Sequence, residues 1–202
     1  MKKIITILAA GLAIWSESVN AQVVPEIHYQ FSIPTGTFRN FVEKPGPLGV
    51  GFQVRKTLTN NRISLGGGLS WFYFPDKKGK QTLELPGDDG TYTGFVTNYT
   101  NIYGLQFLAQ YEFKDPNENL VPFVKTGLGL AYQNQRQDIG LFAFKYDGFQ
   151  FMPHLETGMR FRLPRQGAIN LSMTYHYLPG AGDVGATSFA GLRIGYSGFR
   201  IR

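Results

Sequence analysis

From Gly148 to Leu163 the chain alternates two kinds of residue. Odd positions carry Phe149, Phe151, Pro153, Leu155, Thr157, Met159, Phe161 and Leu163, and even positions carry Gly148, Gln150, Met152, His154, Glu156, Gly158, Arg160 and Arg162. Successive side chains of a β-strand point to opposite faces. The stretch therefore reads as a strand over 149–163 with one apolar, aromatic face and one face bearing His, Glu and two Arg. It is too long and too aromatic on one side for the edge of a soluble sheet.

Seven other segments repeat the pattern, at 23–33, 48–58, 62–74, 101–113, 120–133, 168–178 and 187–197. In the first, Ile27, Tyr29, Phe31 and Ile33 oppose Glu26, His28, Gln30 and Ser32. In the seventh in chain order, Ile169, Leu171, Met173, Tyr175 and Tyr177 oppose Asn170, Ser172, Thr174 and His176. Such lengths match membrane-crossing strands, which need about 9–11 tilted residues. The connections alternate as well. Those at 59–61, 115–119 and 164–167 are short, and those at 34–47, 75–100, 134–147 and 179–186 are longer. Outer-membrane barrels join their strands by short periplasmic turns and longer extracellular loops. The expected fold is all-β: an eight-stranded, antiparallel, up-and-down transmembrane β-barrel. Directly opposed residues must share a face. An Asn60-Asn61 turn meets this requirement by pairing Val50 with Trp71, and one register of the sixth and seventh strands pairs Phe161 with Ile169 and His154 with His176. A two-residue slip would instead set Glu156 against His176.

The first residues form a separate unit. Lys2 and Lys3 precede an apolar run from Ile4 to Trp15 and a small-residue site at Val19-Asn20-Ala21, which is the pattern of a secretory signal peptide. The run is shorter than the roughly 18 residues a spanning helix needs. Residues 1–21 are expected to be a signal peptide and 22–202 one barrel domain. The absence of Cys excludes a lipid-modified cysteine or a disulfide framework. The formal charge of +6 includes +1 from Lys2, Lys3 and Glu17, leaving +5 scattered over the rest. No basic stripe resembles a nucleic-acid footprint, and no nucleic-acid partner is expected. Lys77-Lys78-Gly79-Lys80 could meet anionic lipopolysaccharide or be a solvated tip. Asp88-Asp89 lacks the ligand pattern of a calcium loop.

With these strands in place, the chain resembles the small eight-stranded outer-membrane barrels, and most closely the barrel domain common in Bacteroidota-type bacteria. Gly191-Leu192-Arg193-Ile194-Gly195-Tyr196 resembles the C-terminal signal read by the barrel-assembly machinery, although Phe189 replaces a polar residue and the chain runs on to Arg202. The resemblance implies insertion by that machinery. It implies no single activity, because such folds host adhesins, lipid-A enzymes and structural subunits.

The inward face collects Glu26, His28, Arg55, Glu112, Lys125, His154, Glu156, Arg160, Arg162, His176 and Arg193. Eight strands enclose only enough space for their own side chains, so these charges are expected to pair as a polar plug of the lumen. Inward glycines such as Gly49, Gly51, Gly66, Gly68, Gly127 and Gly129 either accommodate large neighbours, with Phe72, Phe74 and Phe123 the leading candidates, or leave a small pocket. Trp71, Tyr73, Tyr175 and Tyr177 are expected in an aromatic girdle at the outer rim. No HExxH or Cys motif occurs, so no catalytic, cofactor-binding or metal-binding residue is assigned. His176 with Ser188 is the nearest approach to a hydrolytic pair. The leading functional expectation is a structural or interaction protein of the outer membrane, with a subunit of an envelope assembly as one form of that role. Its expected partners are outer-membrane lipid and lipopolysaccharide, the assembly machinery and other envelope proteins. The alternatives are a lipid-A-modifying enzyme and a secreted lipocalin-like carrier, which would place its apolar face inside.

Overall fold

The computed structural model describes residues 23–58, 62–84, 91–164 and 167–198. The expected signal peptide, the Asn60-Asn61 turn, Asp88-Asp89 and the end beyond Gly198 lie outside them. The elements in chain order are β1 (Val23–Thr35), α1 (Phe38–Phe41), β2 (Gly46–Thr57), β3 (Ile63–Glu84), β4 (Thr91–Glu112), β5 (Leu120–Ile139), β6 (Phe142–Phe151), β7 (His154–Arg162), β8 (Ala168–Leu178) and β9 (Thr187–Ser197). Every neighbouring pair is antiparallel, and β1 pairs with β9 through Tyr29 and Ile194 to close the ring.

The nine strands make eight staves. β6 and β7 both pair with β5, and the pairs Leu130↔Phe151 and Gly127↔His154 keep one register offset across the break. The break falls at Met152-Pro153, where proline has no N–H to give to a ladder. The sixth expected strand is thus a single stave with an interrupted ladder. Its alternation survives the interruption: Met152 is buried, and Phe149, Phe151 and Leu155 are exposed.

Expected and observed faces agree. Val50 opposes Trp71, and His154 opposes His176. Ile27, Phe52, Leu69, Phe107, Leu171 and Leu192 stand on the exposed outer wall, while Glu26, Arg55, Lys125 and Glu156 are buried inside. Thus the membrane-barrel arrangement is found, and not the inverted one a soluble carrier requires.

The upper part of the wall differs from the expectation. The connections expected at 75–100 and 134–147 are largely strand. β3 and β4 stay paired as far as Glu84↔Thr91, and β5 and β6 as far as Ile139↔Phe142. Gly140, at φ +60°, supplies the left-handed residue of that two-residue turn. β8 reaches only Leu178, so above that level the wall continues as β3, β4, β5 and β6 alone. The first connection folds back over the barrel mouth. Its short helix α1 buries Phe38, and the following Val42 is buried too. Glu43 N donates to Asp76 at 2.9 Å, and Lys44 Nζ donates to the Lys77 carbonyl at 2.6 Å.

Candidate functional site

Two inward carboxylates organise the centre of the lumen. Glu26 on β1 accepts hydrogen bonds from Arg55 Nη2 at 2.8 Å and from Asn170 Nδ2 at 2.9 Å. Glu156 on β7 accepts from Arg193 Nη1 at 2.5 Å, Lys125 Nζ at 3.0 Å and Ser172 Oγ at 2.8 Å. Lys125 also lies 3.8 Å from Glu26, which joins the two clusters, and Arg193 turns its other edge to Gln30 Oε1 at 2.7 and 3.0 Å. All five charged groups are nearly inaccessible to solvent. Ions removed from water are retained only when paired and hydrogen-bonded, and charge-assisted contacts of this geometry are the stronger kind.

Lower in the barrel, Arg160 grips Glu112 with both terminal nitrogens and donates to the Pro116 carbonyl at 3.2 Å, while Gln110 Nε2 donates to Glu112 at 2.9 Å. Arg162 is exposed at the turn end and donates to the Asn117 carbonyl at 2.6 Å. It anchors a turn and takes no part in the buried network, because it is the last residue of β7 and its side chain reaches the adjoining turn.

His154 and His176 begin a separate, aromatic layer. His154 and His176 stack at 5.1 Å and 14°, and His176 stacks on Phe189 at 4.7 Å and 15°. The rings continue through Phe189–Phe74 at 5.2 Å to Phe38–Phe74 at 5.2 Å, with Phe72 beside them. This column runs from mid-lumen to the helix over the mouth. Gln106 Nε2 lies 3.0 Å from His154 Nδ1, while both ring nitrogens of His28 and of His176 lack a hydrogen bond among the described residues. Two inward glycines give these rings their space. A Cβ on Gly51 would fall 2.3 Å from His28 Nε2, and one on Gly127 would fall 2.1 Å from His154 Cε1. At these two positions the filler is imidazole, where the sequence had pointed to phenylalanine. Among the described residues no three His, Cys, Asp or Glu side chains are placed to hold a metal ion. His176 opposes Phe189, whereas Ser188 opposes Tyr177 and donates to the Thr35 carbonyl at 2.9 Å. The pair singled out as nearest to hydrolytic chemistry is therefore split between two faces.

On the outer wall, Trp71, Tyr103, Tyr132 and Phe149 are successive register partners. Trp71 stacks with Tyr103 at 6.5 Å, and Tyr73 with Tyr99 at 6.4 Å. Tyr175 and Tyr177 continue the exposed aromatic surface on β8. The sequence pattern missed Tyr99, which falls in an expected loop, and Phe38, which with Phe41 and Val42 falls in a connection without strand alternation. The Lys77–Lys80 stretch, expected as a loop tip, lies within β3 and is partly structural, since Lys78 donates to the Asn40 carbonyl at 3.0 Å and lies 3.3 Å from Glu43.

No protein-family model matches the chain, and no curated protein matches it in sequence. Solved structures do match. Neisserial surface protein A shares 12% identity at a TM-score of 0.52, covering 88% of this chain and 95% of its own. The N-terminal barrel domain of Pseudomonas aeruginosa OprF shares 18% identity at a TM-score of 0.48, covering 88% and 99%. The Yersinia pestis attachment invasion locus protein, solved with the heparin analogue sucrose octasulfate, shares 11% at 0.48, covering 88% and 95%. The first of these likenesses establishes the fold, that of the small eight-stranded outer-membrane barrels.

Proposed function

We propose that this chain is an integral outer-membrane protein with a structural or interaction role, and that its working surface is the extracellular sheet rather than the lumen. The observation that carries this reading is the pairing of an apolar outer wall with a lumen filled by its own side chains. Lys125, Glu156, Phe72, Phe189 and His176 lie across the interior with almost no accessible surface. A lumen occupied in this way offers no conduit, and eight staves are too few to leave one. The strands that outrun the rest, β3 to β6, reach farthest from the turn end of the barrel and make the natural surface for envelope partners or lipopolysaccharide.

In this reading the first 21 residues direct export and are removed. The stretch from Gly191 to Tyr196 guides insertion by the assembly machinery, and the source is a Bacteroidota-type bacterium. Membrane fractionation tests the proposal. The protein is expected in the outer-membrane pellet, resistant to carbonate or urea washing, and faster on a gel unheated than boiled. Recovery in the soluble periplasm would sink it. Gentle detergent extraction then separates its two forms: co-purifying envelope proteins mark an assembly subunit, and a clean monomer marks a free-standing barrel.

A further inference from the structure

The outer wall does not end at the row of Trp71, Tyr103 and Tyr132. Two residues further out, Tyr73, Asn101 and Asn134 are register partners, and two beyond those, Tyr99, Arg136 and Lys145. At a rise of about 3.3 Å per residue on strands tilted about 40°, these rows stand roughly 5–10 Å above the aromatic row. If aromatic side chains mark the edge of the hydrocarbon, this is the depth of lipid headgroups. Here the wall is concave, with a cavity of about 460 Å³ bounded by these side chains and Asp138.

Its chemistry is specific. Arg136 and Lys145 face each other directly across β5 and β6, like charges that repel when so placed, and Asp138 on Arg136 is the one carboxylate among the described residues of the lining. Arg136 uses only Nε on Asp138, at 2.7 Å. That bond raises its pKa further above the ordinary arginine value, so the cation persists at any working pH. Lys145 has no hydrogen bond or ion pair among the described residues. Beside the cations, the Tyr73 and Tyr99 rings lie nearly parallel, at 12°. Asn101 is held in place by Trp71 Nε1 at 3.1 Å, and Asn134 lies opposite it. Flat rings suit the face of a sugar, amides suit its hydroxyls, and paired cations suit a phosphate.

We infer that this concavity binds the phosphorylated sugar headgroup of an outer-leaflet glycolipid. Arg136 and Lys145 take the phosphate, and Tyr73 and Tyr99 flank the sugar. The acyl chains of such a lipid would lie along the exposed Leu105, Leu130 and Phe107, nearer the turn end on the same outer wall. That geometry favours a lipid over a free anion. The inference rests on the outer-membrane reading above.

Full-length protein expressed in cells and extracted in detergent tests it. Binding of bisphosphorylated lipid A, of the same lipid stripped of phosphate, and of inorganic phosphate is measured by native mass spectrometry. The phosphorylated lipid is expected to bind, and an Arg136→Gln/Lys145→Gln variant to bind it at least about tenfold more weakly, as loss of charge-assisted hydrogen bonds implies. Lys114→Gln, an exposed pair partner of Glu118 at the opposite end, serves as control and keeps its binding. Unheated gel mobility confirms that each variant is folded. Equal binding by the double variant, or by dephosphorylated lipid, overturns the inference. Displacement of the lipid by equimolar inorganic phosphate overturns the lipid assignment. The two readings fail separately: a protein found in the outer membrane that shows no preference for phosphorylated lipid refutes only this one.

Discussion

At mid-height the lumen is filled by carboxylates, cations and amides, with ion-pair distances of 2.5–3.8 Å among Glu26, Arg55, Lys125, Glu156 and Arg193. Above that level, Phe38, Phe72, Phe74 and Phe189 pack ring to ring at 5.0–5.2 Å. One continuous β-wall encloses both fillings. The charged filling stands where the wall is most apolar outside, flanked in sequence by Ile27, Val54, Leu155 and Leu192. The aromatic filling stands at the rim, where the wall meets headgroups and α1 closes the mouth. A buried ion depends on its partner entirely, because losing the partner strands a charge in a low-dielectric interior. A buried ring depends on its neighbours in proportion to contact. The lower half should therefore respond to single changes as a unit, and the upper half by degrees.

The largest effect should come from Glu156→Gln. The substitution keeps the shape and removes the charge that Lys125 and Arg193 share. Stranding buried partners costs about 3–5 kcal/mol. Urea titration of the refolded barrel, followed by unheated gel mobility, should show the folded band lost at much lower denaturant. A midpoint close to wild type would mean that the network is hydrated and contributes little. Next is Phe189→Ala, which removes the ring between His176, Phe72 and Phe74. A large-to-small change of this kind costs about 3–5 kcal/mol, and less where the site can collapse. Proximity to the mouth and α1 places it at the lower end of that range, so the same titration should rank it below Glu156→Gln. The reverse order would break the contrast between the two halves.

That contrast was only half legible in the sequence. In the lower half, inward charges such as Glu112, Arg160 and Arg193 sit between two apolar or aromatic residues, so the period of two declares both the strand and its face. Turn parity then put Val50 against Trp71 and left either His154 or Glu156 against His176; the ladder places His154 there. At the rim the signal fails, because Trp71, Phe72, Tyr73 and Phe74 are aromatic on both faces. Beyond it, β3 and β4 run on through Lys80 and back from Thr91 with polar residues on both sides. A strand clear of the membrane needs no continuous apolar face, and here Phe95 is exposed while its neighbour Val96 is buried, so those strands read as loop. The glycolipid site was invisible for the same reason: Tyr99, Arg136 and Lys145 fall in stretches read as connections, and only their register brings them together. Phe189 looked like a departure from the C-terminal signal. The ring column explains it, since a polar residue there would leave His176 and Phe72 without their stacking partner.

The smallest effect is expected at the boundary between the halves. His176 is fully buried, lies between His154 and Phe189, and has no hydrogen bond to either ring nitrogen among the described residues. It acts as a flat ring, which places it with the aromatic filling despite its polar atoms. His176→Phe keeps the stack and removes buried polar atoms that lack partners, each of which costs about 1–3 kcal/mol. The slightly larger ring opposes this gain through overpacking of about the same size. The two nearly cancel, and the urea midpoint should lie within about 1 kcal/mol of wild type. His154→Phe is the informative partner variant. His154 meets Gln106 at 3.0 Å, so the same change there strands a buried amide and should destabilise by about 1–3 kcal/mol more. If His176→Phe proves as damaging as Glu156→Gln, His176 belongs with the charged filling, and the boundary between the two halves lies one ring higher, at Phe189.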